Sequence, residues 1–246
     1  MHRFFVPPSV LAEPVIPLTG EVLHHLATVL RLSVNEEIVL LDGRGTLCRC
    51  RITALGKKSG QATVLERWQE QDTAFPVHLL QALPKGDKMD LVLQKGTELG
   101  IGRFSPLFSR RSVPKLAPER ATQRQLRWQR IVSGAARQSR RPILPKVAAP
   151  CLLAESLADC DEELRLMLWE EGSRPLAEAL PAEAPASLAL LVGPEGGFTA
   201  EEAQIAVEAR FQPVHLGPRI MRSETAGFAV TAIVQYRYGD LGSSEN

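Results

Sequence analysis

The sequence lacks the features that mark membrane-spanning and secreted proteins. No apolar run reaches the roughly 20 residues that a membrane helix needs, and residues 1–10 have no basic segment followed by an apolar core, so we expect neither a membrane span nor a secretory signal. The 246 residues include only four cysteines, Cys48, Cys50, Cys151 and Cys160. Because they form neither paired C-x-x-C motifs nor a dense disulfide framework, we expect reduced thiols in a cytoplasmic protein, with no metal site.

The sequence also has little net charge, but that charge is unevenly distributed. The formal net charge is +1, whereas residues 103–146 contain twelve Lys or Arg against one acid, Glu119, which gives +11. The rest of the chain holds 17 basic and 27 acidic residues. A basic segment with few acids to pair with favours binding to a polyanion such as RNA. The alternative is a solvated helix face with some internal pairing.

The chain divides into a short β-rich part and a longer part in which strands and helices alternate. Residues 1–70 are predicted to form a small barrel, with strands near 4–6, 15–17, 37–41, 46–55 and 62–68 and a helix over 19–30. After a polar linker, residues 74–246 have the alternation of an α/β domain with a parallel sheet. Its predicted strands are 77–83, 104–108, 164–169, 188–192 and 214–216, and its helices are 87–99, 118–139, 223–238 and one that begins at the capping box Thr199-Ala-Glu-Glu202.

A first glycine-containing loop, Gly193-Pro-Glu-Gly-Gly-Phe198, follows an apolar strand, which is where α/β sheets bind ligands. It matches neither the G-x-G-x-x-G fingerprint nor a P-loop, which counts against a nucleotide-dependent oxidoreductase. A conventional methyltransferase would carry its glycine-rich loop after the first strand of its domain, where residues 83–87 match poorly. On composition alone, a ligand loop and a tight structural turn explain residues 193–198 equally well.

A second loop, residues 216–226, places Arg219, Arg222 and Glu224 just before a predicted helix. The N-terminus of that helix offers free amides and the positive end of a dipole. The three side chains could form a structural ion-pair cluster. Alternatively, the arginines could bind an anionic substrate and the carboxylate could act as a general base, and the spacing does not separate the two.

Together with fragments from the rest of the chain, these two loops resemble one family. The fragments include Arg3-Phe-Phe-Val6, Gln81-Ala-Leu-Pro-Lys-Gly86, Lys88-Met-Asp-Leu91 and Thr97-Glu-Leu-Gly100. In this order, over most of the chain, they resemble the RsmE family of 16S ribosomal RNA (uracil-N3)-methyltransferases within the SPOUT superfamily. Four residues depart from the family pattern: Gly96 and Ser223 replace the expected alanine and threonine, and Arg137 and Arg140 stand where acidic and glycine residues are common.

The resemblance implies an N-terminal PUA-like β-barrel that binds RNA and a C-terminal α/β methyltransferase domain with a deep trefoil knot. It implies S-adenosyl-L-methionine (SAM) as cofactor, 16S ribosomal RNA within the small subunit as substrate, and a homodimer as the working form. An RNA-binding assembly factor without catalytic activity is the main alternative, and it would need no SAM pocket.

The resemblance and the loop chemistry also imply roles for individual residues. For catalysis we expect Arg222 to stabilise charge and Glu224 or Glu195 to act as base. The expected cofactor-binding residues are Trp169, Glu170, Gly193, Glu195, Gly196, Leu216, Gly217, Ile220, Met221, Ser223, Thr225 and Ala226. The expected RNA-binding residues are Arg3, Arg31, Arg110, Arg111, Arg124, Arg127, Arg137 and Arg140.

Overall fold

A computed structural model of the protein describes residues 1–112 and 118–243, with the side chains of residues 118 and 119 outside the description. The chain forms two units, of which the first combines Met1–Asp72 with Ala136–Leu144 and the second combines Thr73–Ala135 with Pro145–Asn246. We expected domains at 1–70 and 74–246, so Ala136–Leu144 groups with the first unit rather than with the second. Lys115 and the side chain of Glu119, both part of the basic segment, lie outside the described residues.

None of the described helices is both long enough and apolar enough to cross a membrane.

The first unit is built on one five-stranded sheet. Its strands are β1 (His2–Phe5), β2 (Val15–Leu18), β3 (Glu37–Leu41), β4 (Thr46–Leu55) and β5 (Gly60–Gln69). The strand order is β1-β3-β4-β5-β2, with β1 and β3 parallel and the other neighbours antiparallel. As the alternation in β4 predicts, Cys48, Cys50 and Ile52 are fully buried in the core of this unit.

The helix predicted over 19–30 changes type halfway along. After the short helix α1 (Pro8–Leu11), α2 (Gly20–His24) runs directly into a π-helical turn, His25–Val29. Within that turn the Leu30 amide donates to the His25 carbonyl at 2.9 Å, a bond across five residues rather than four. Such π-turns are rare and are frequently found at functional sites.

The second unit is built on a parallel sheet of eight strands. They are β6 (Val77–Ala82), β7 (Ile101–Phe108), β8 (Lys146–Val147), β9 (Cys151–Leu152), β10 (Leu164–Leu168), β11 (Arg174–Pro175), β12 (Leu188–Val192) and β13 (Gln212–His215). Their order is β11-β13-β10-β12-β6-β7-β8, with β9 also paired to β7, and every described pairing is parallel. The central strands β6 and β12 are buried at every residue, as continuous apolar runs predict.

Six helices accompany this sheet among the described residues, and the four longest agree with the predicted ones. They are α3 (Lys88–Glu98), α4 (Pro118–Gln138), α5 (Leu153–Ala158), α6 (Leu176–Ala179), α7 (Ala200–Glu208) and α8 (Ser223–Tyr238). The predicted stop after α3 is confirmed, because Gly100 adopts φ +94° there. The short elements α5, α6, β8, β9 and β11 were not predicted, because two to six residues are too few to show a period.

A buried polar chain links three segments of the second unit. His78 on β6 lies 2.7 Å through Nδ1 from the Glu162 carboxylate and 2.8 Å through Nε2 from the Ser105 hydroxyl on β7. All three residues are at most 9% exposed. Buried polar groups cost free energy unless they are paired. These hydrogen bonds therefore fix the positions of β6, β7 and the segment at Glu162, just before β10, relative to one another.

The four cysteines are free, as expected for reduced thiols. Burial raises the pKa of Cys50 and of Cys160 to about 12, so both thiols stay protonated near neutral pH. A protonated, buried thiol is a poor nucleophile, which gives these two cysteines a packing role.

Candidate active site

Four loops of the second unit leave the same edge of the sheet. Strands β6, β10, β12 and β13 are parallel and adjacent in the order β13-β10-β12-β6, so their carboxyl ends lie together. The loops that follow them start at residues 83, 169, 193 and 216. This edge is where parallel α/β sheets bind ligands.

The loop 193–198 is partly a structural turn. A Cβ at Gly193 would lie 3.3 Å from the ring of Phe198, which is itself 1% exposed in the core. Gly197 has φ +68°, and its amide donates to the Pro194 carbonyl at 2.9 Å. The predicted capping box at Thr199 is confirmed, with reciprocal bonds to Glu202. The glycines therefore permit a tight approach to Phe198 as well as exposing Glu195 and Gly196 at the sheet edge.

Ser223 joins this loop to the second loop and to β6. Its hydroxyl donates to the Gly193 carbonyl at 2.6 Å and accepts from the Gln81 side-chain amide at 2.9 Å. All three groups come from different parts of the chain, and Ser223 and Gln81 are buried. The Ser223 hydroxyl thus fixes the position of loop 193–198 relative to loop 216–226.

Two carboxylates, Glu195 and Glu224, share one lysine. The Lys88 ammonium donates to Glu195 at 2.8 Å and lies 3.7 Å from the Glu224 carboxylate. The backbone amide of Lys85 also donates to Glu195, at 3.2 Å. Glu224 is 8% exposed, and its Oε2 is buried without a hydrogen-bond partner. This atom is therefore an acceptor that an incoming donor could satisfy.

The shared lysine changes the proton affinities of the cluster. Burial raises the pKa of Glu195, but hydrogen bonds from Lys88, from its own amide and from Lys85 lower it by more, so the pKa lies below its ordinary value. The hydrogen bond to Glu195 raises the pKa of Lys88, with Glu224 adding to the rise and Arg222 opposing it. Near neutral pH the site therefore holds a charged lysine beside ionised Glu195.

The second loop exposes its arginines rather than pairing them with Glu224. Arg219 and Arg222 are both exposed, and the charged partner of Glu224 among the described residues is Lys88. Arg222 stands just before α8 in an extended conformation, and its charge is close enough to Lys88 to affect the lysine pKa. Among the described residues, neither arginine forms an ion pair with Glu224, and the binding of an anionic ligand by these arginines stays a prediction.

The same loop leaves apolar side chains uncovered. Ile220 is 83% exposed, which is high for a large aliphatic residue. Leu216 and Met221 are partly exposed beside it, and Trp169, at the end of β10, packs half-buried against the core. Uncovered apolar side chains next to polar loop backbone mark a surface that a ligand can cover. Of the remaining expected pocket residues, Glu170, Gly217 and Thr225 are exposed and Ala226 is half-buried.

The basic residues expected to bind RNA have different surroundings within the second unit. Arg111 donates to the carbonyls of Gly196 and Phe198, so it supports the first loop. Arg110 pairs with Glu201, and Arg127 forms a two-pronged bond with Asp90. Arg124, on α4, is exposed, with no ion pair among the described residues. The other four, Arg3, Arg31, Arg137 and Arg140, belong to the first unit.

Sequence reasoning assigned no role to Lys88, Lys85 or Gln81, although all three lie in fragments that resemble the family. Their contribution depends on partners more than 100 residues away along the chain. One signal was available, because Gln81 and Lys85 lie at or just after the carboxyl end of the predicted strand 77–83, like the two glycine loops, and Lys88 opens the helix that follows.

Comparison with known proteins defines the class to which this arrangement belongs. Residues 71–235 match the model of the RNA methyltransferase domain, and residues 18–65 match that of the RNA methyltransferase PUA domain. The fold and the loop cluster are thus those of an RNA methyltransferase with an N-terminal PUA domain.

Individual relatives narrow the class further. A ribosomal RNA small subunit methyltransferase E of Synechocystis is 37% identical over 230 residues, which cover 92% of this chain and 74% of the relative. The crystal structure of the Neisseria gonorrhoeae protein of the same name, bound to SAM, is 35% identical with a TM-score of 0.88 and covers 98% of this chain and 99% of the neighbour. A methyltransferase of Legionella pneumophila, also solved with SAM, is 30% identical with a TM-score of 0.87 and covers 95% of this chain and 96% of that one. The chain belongs to the ribosomal RNA small subunit methyltransferase E family.

Proposed function

We propose that this protein transfers the methyl group of SAM to N3 of a uridine in the 16S RNA of the small ribosomal subunit. Its family membership supports the reaction class, and one family member and one further similar methyltransferase are solved with SAM. One observation carries the proposal: loops 193–198 and 216–226 meet at one edge of the sheet, where Lys88, Glu195 and Glu224 lie close together.

The residues at this edge fit the cofactor. The uncovered Ile220, with Leu216 and Met221 beside it, suits the flat adenine, and Gly193 and Gly196 leave backbone accessible. Anionic Glu195 and Glu224 suit a positively charged ligand. SAM, when bound, supplies a methyl group activated by its sulfonium. Further expected contacts come from Trp169, Glu170, Gly217, Ser223, Thr225 and Ala226.

The chain's own residues would prepare the uridine. N3 of uracil carries a proton and becomes a good nucleophile only when that proton is removed. Of the two candidate bases, Glu224 is favoured, because Glu195 is held as an anion by its bond from Lys88 and so has low proton affinity. The Oε2 of Glu224, which lies 3.7 Å from the Lys88 ammonium but has no hydrogen-bond partner, is an acceptor suited to that proton. Arg222, exposed on the adjacent loop, would stabilise the charge that spreads to the uracil oxygens.

The RNA would be held mainly through its phosphates. In the second unit Arg124 is the basic residue best placed for such contacts, since Arg110, Arg111 and Arg127 have intramolecular partners that RNA would have to replace. Phosphate contacts position RNA without reading its sequence. The choice of one uridine must therefore depend on contacts other than these phosphate contacts.

We further propose that the protein works as a homodimer. Helix α8 buries Gly227, Val230 and Val234, yet Ile233 and Tyr236 on another side are 42% and 73% exposed. A helix that is apolar on more than one side needs a second surface to cover it. A second copy of this chain is the partner that the family resemblance suggests. The trefoil knot and the cytoplasmic location also stay predictions.

Nucleoside mass spectrometry tests the reaction. The purified protein would be incubated with SAM and small ribosomal subunits that lack the modification, with heat-inactivated protein as the control. We expect a new N3-methyluridine peak. Another methylated nucleoside would overturn the assigned base and atom, and the absence of both methylation and SAM binding would favour an assembly factor.

A further inference from the structure

A cleft in the first unit is lined by basic and imidazole side chains. Its volume is about 240 Å³, and its lining includes His2, Arg3, His25, Arg137 and Arg140. The residues come from β1, from the π-helical turn and from the segment Ala136–Leu144, all within the first unit. None of them belongs to the loops of the candidate active site.

The cations in this cleft have little compensating negative charge. The Arg137 guanidinium lies 5.6 Å over the ring of Phe4, an arrangement that leaves its charge available. Among the described residues neither Arg137 nor Arg140 has a carboxylate within ion-pair distance, and Arg3 has Glu70 at 3.7 Å. The Arg3 guanidinium also donates to the Arg140 carbonyl at 2.8 Å, which fixes the backbone at that position.

The imidazole of His25 lies beside the cations of the cleft. Burial is the largest cause that lowers the pKa of His25, and the charges of Arg137, His2 and His24 lower it further. The ring also packs edge-on against Phe4, with centroids 5.6 Å apart. Because burial disfavours a charge of either sign, only the smaller contribution of Arg137, His2 and His24 reflects a positive potential.

Two basic residues beside the cleft end helical segments. Arg140 has φ +60° just after α4, and Arg31, two residues after the π-helical turn, has φ +54°. A left-handed residue commonly ends a helix, and here the Arg141 amide bonds back to the Ala136 carbonyl at 2.9 Å. The turn at the end of α4 thus brings Arg140 to the lining of the cleft.

We propose that this cleft binds a phosphodiester group of the RNA substrate through Arg137 and Arg140, with Arg3 and His25 framing the anion. This proposal depends on the proposed function only for which RNA is bound. A phosphate contact does not depend on the RNA sequence. A cleft of this size accommodates one or two phosphate groups, and Arg provides the planar donor geometry that a phosphate accepts.

A salt series of RNA binding tests the cleft. The double variant Arg137→Gln/Arg140→Gly removes two cations, and the matched control Lys57→Gln/Lys58→Gln removes two exposed cations of the same unit outside the cleft. With polyuridine as the probe, we expect the cleft variant to bind about tenfold more weakly than the wild type. Its plot of log affinity against log salt should be shallower by about 0.7 for each phosphate that the variant no longer binds. The control should keep the wild-type slope.

Stability separates binding from folding. Arg140→Gly alone should leave the melting temperature unchanged or raise it by about 2–4 °C, because glycine relieves the left-handed conformation, while RNA affinity falls. Equal affinities and slopes for the cleft variant and the control would overturn the proposal. If the wild type methylates its substrate but the cleft variant binds RNA normally, the cleft fails and the proposed function stands. If the cleft variant shows the shallower salt dependence but the wild type forms no methylated uridine, the cleft stands and the proposed function fails.

Discussion

Lys88 lies close to both carboxylates of the candidate active site. Replacing it with methionine removes the hydrogen bond to Glu195 and the nearby charge beside Glu224. We expect kcat to fall by about tenfold to a hundredfold, since the carboxylates lose their positions. The pKa of Glu195, now lowered by Lys88, should return upward, which an NMR titration of the carboxyl groups would detect.

The variant Lys88→Arg is the matched control for that experiment, because it keeps the charge and a donor. It should recover most of the rate and return the pKa of Glu195 towards its wild-type value. A Lys88→Met enzyme with an unchanged kcat and an unchanged Glu195 pKa would show that the lysine has only a packing role.

The assignment of the base is also a residue-scale prediction. Glu224→Gln should lower kcat by about 10²- to 10⁴-fold while SAM affinity, measured by calorimetry, changes little. Glu195→Gln should cost less, because Glu195 is held as an anion by Lys88. If Glu195→Gln proved the slower enzyme, the two roles would have to be exchanged.

At this scale the sequence predicted residue types better than residue partners. The resemblance and the loop chemistry predicted functional roles for Ser223 and Glu224. In the structure both residues are buried at the sheet edge. The ion-pair alternative for Arg222 and Glu224 could not be excluded from spacing, because the true partner of Glu224 is Lys88, 136 residues earlier in the chain. Pairing across such separations is decided by tertiary structure.

Among the elements, the strands of the second unit depend on the buried chain of His78, Glu162 and Ser105. His78→Ala would leave the Glu162 carboxylate buried without its partner, so we expect the free energy of unfolding to fall by about 3–5 kcal/mol. Ser105→Ala removes a single neutral hydrogen bond and should cost about 1 kcal/mol. Urea denaturation measures both, and equal costs would contradict a special role for the histidine–carboxylate pair.

The same carboxylate predicts an acid limit to stability. Burial raises the pKa of Glu162, but the hydrogen bond and charge of His78 and the nearby Arg103 lower it by more, so the folded pKa lies below its ordinary value. Its contribution to stability is therefore complete above the unfolded pKa of about 4.3 and is lost as pH falls through the folded pKa. Acid titration of unfolding should show a smaller loss in Glu162→Gln than in the wild type.

Helix α3 contains a glycine that packing requires. A Cβ at Gly96 would lie 2.8 Å from both Ile101 and Phe104, two fully buried side chains. Gly96→Ala should therefore destabilise the protein by about 1–2 kcal/mol, although alanine favours a helix by about 1 kcal/mol. The second change Phe104→Leu should restore part of the loss in thermal denaturation. A stabilised Gly96→Ala single variant would contradict the packing explanation.

The elements themselves were largely predictable, for physical reasons. Strands β3, β4 and β12 and helix α8 begin and end at the predicted residues, because their apolar periods are clear. The π-helical turn was missed because His25–Val29 has the same apolar spacing as an α-helix. Periodicity reports which face is buried and not which hydrogen-bond partner each amide chooses.

For the whole molecule, the exposed side of α8 predicts the oligomeric state. We expect the 27.0 kDa chain to sediment as a dimer, and Ile233→Glu/Tyr236→Glu to sediment as a monomer, because two charges would oppose burial of that side. Analytical ultracentrifugation measures this. The exposed double variant Lys57→Gln/Lys58→Gln is the control, and a monomeric wild type would overturn the dimer.

The first unit is discontinuous along the chain, since Met1–Asp72 is completed by Ala136–Leu144. During synthesis, therefore, its N-terminal strands emerge from the ribosome long before the segment that supplies Arg140 and the Leu144 amide bonded to Gly43. Domains usually fold one after another as they emerge. Here the five-stranded sheet, whose strands all lie within Met1–Asp72, is translated well before Ala136–Leu144, so the nascent chain must hold a sheet that still lacks the segment that completes the unit.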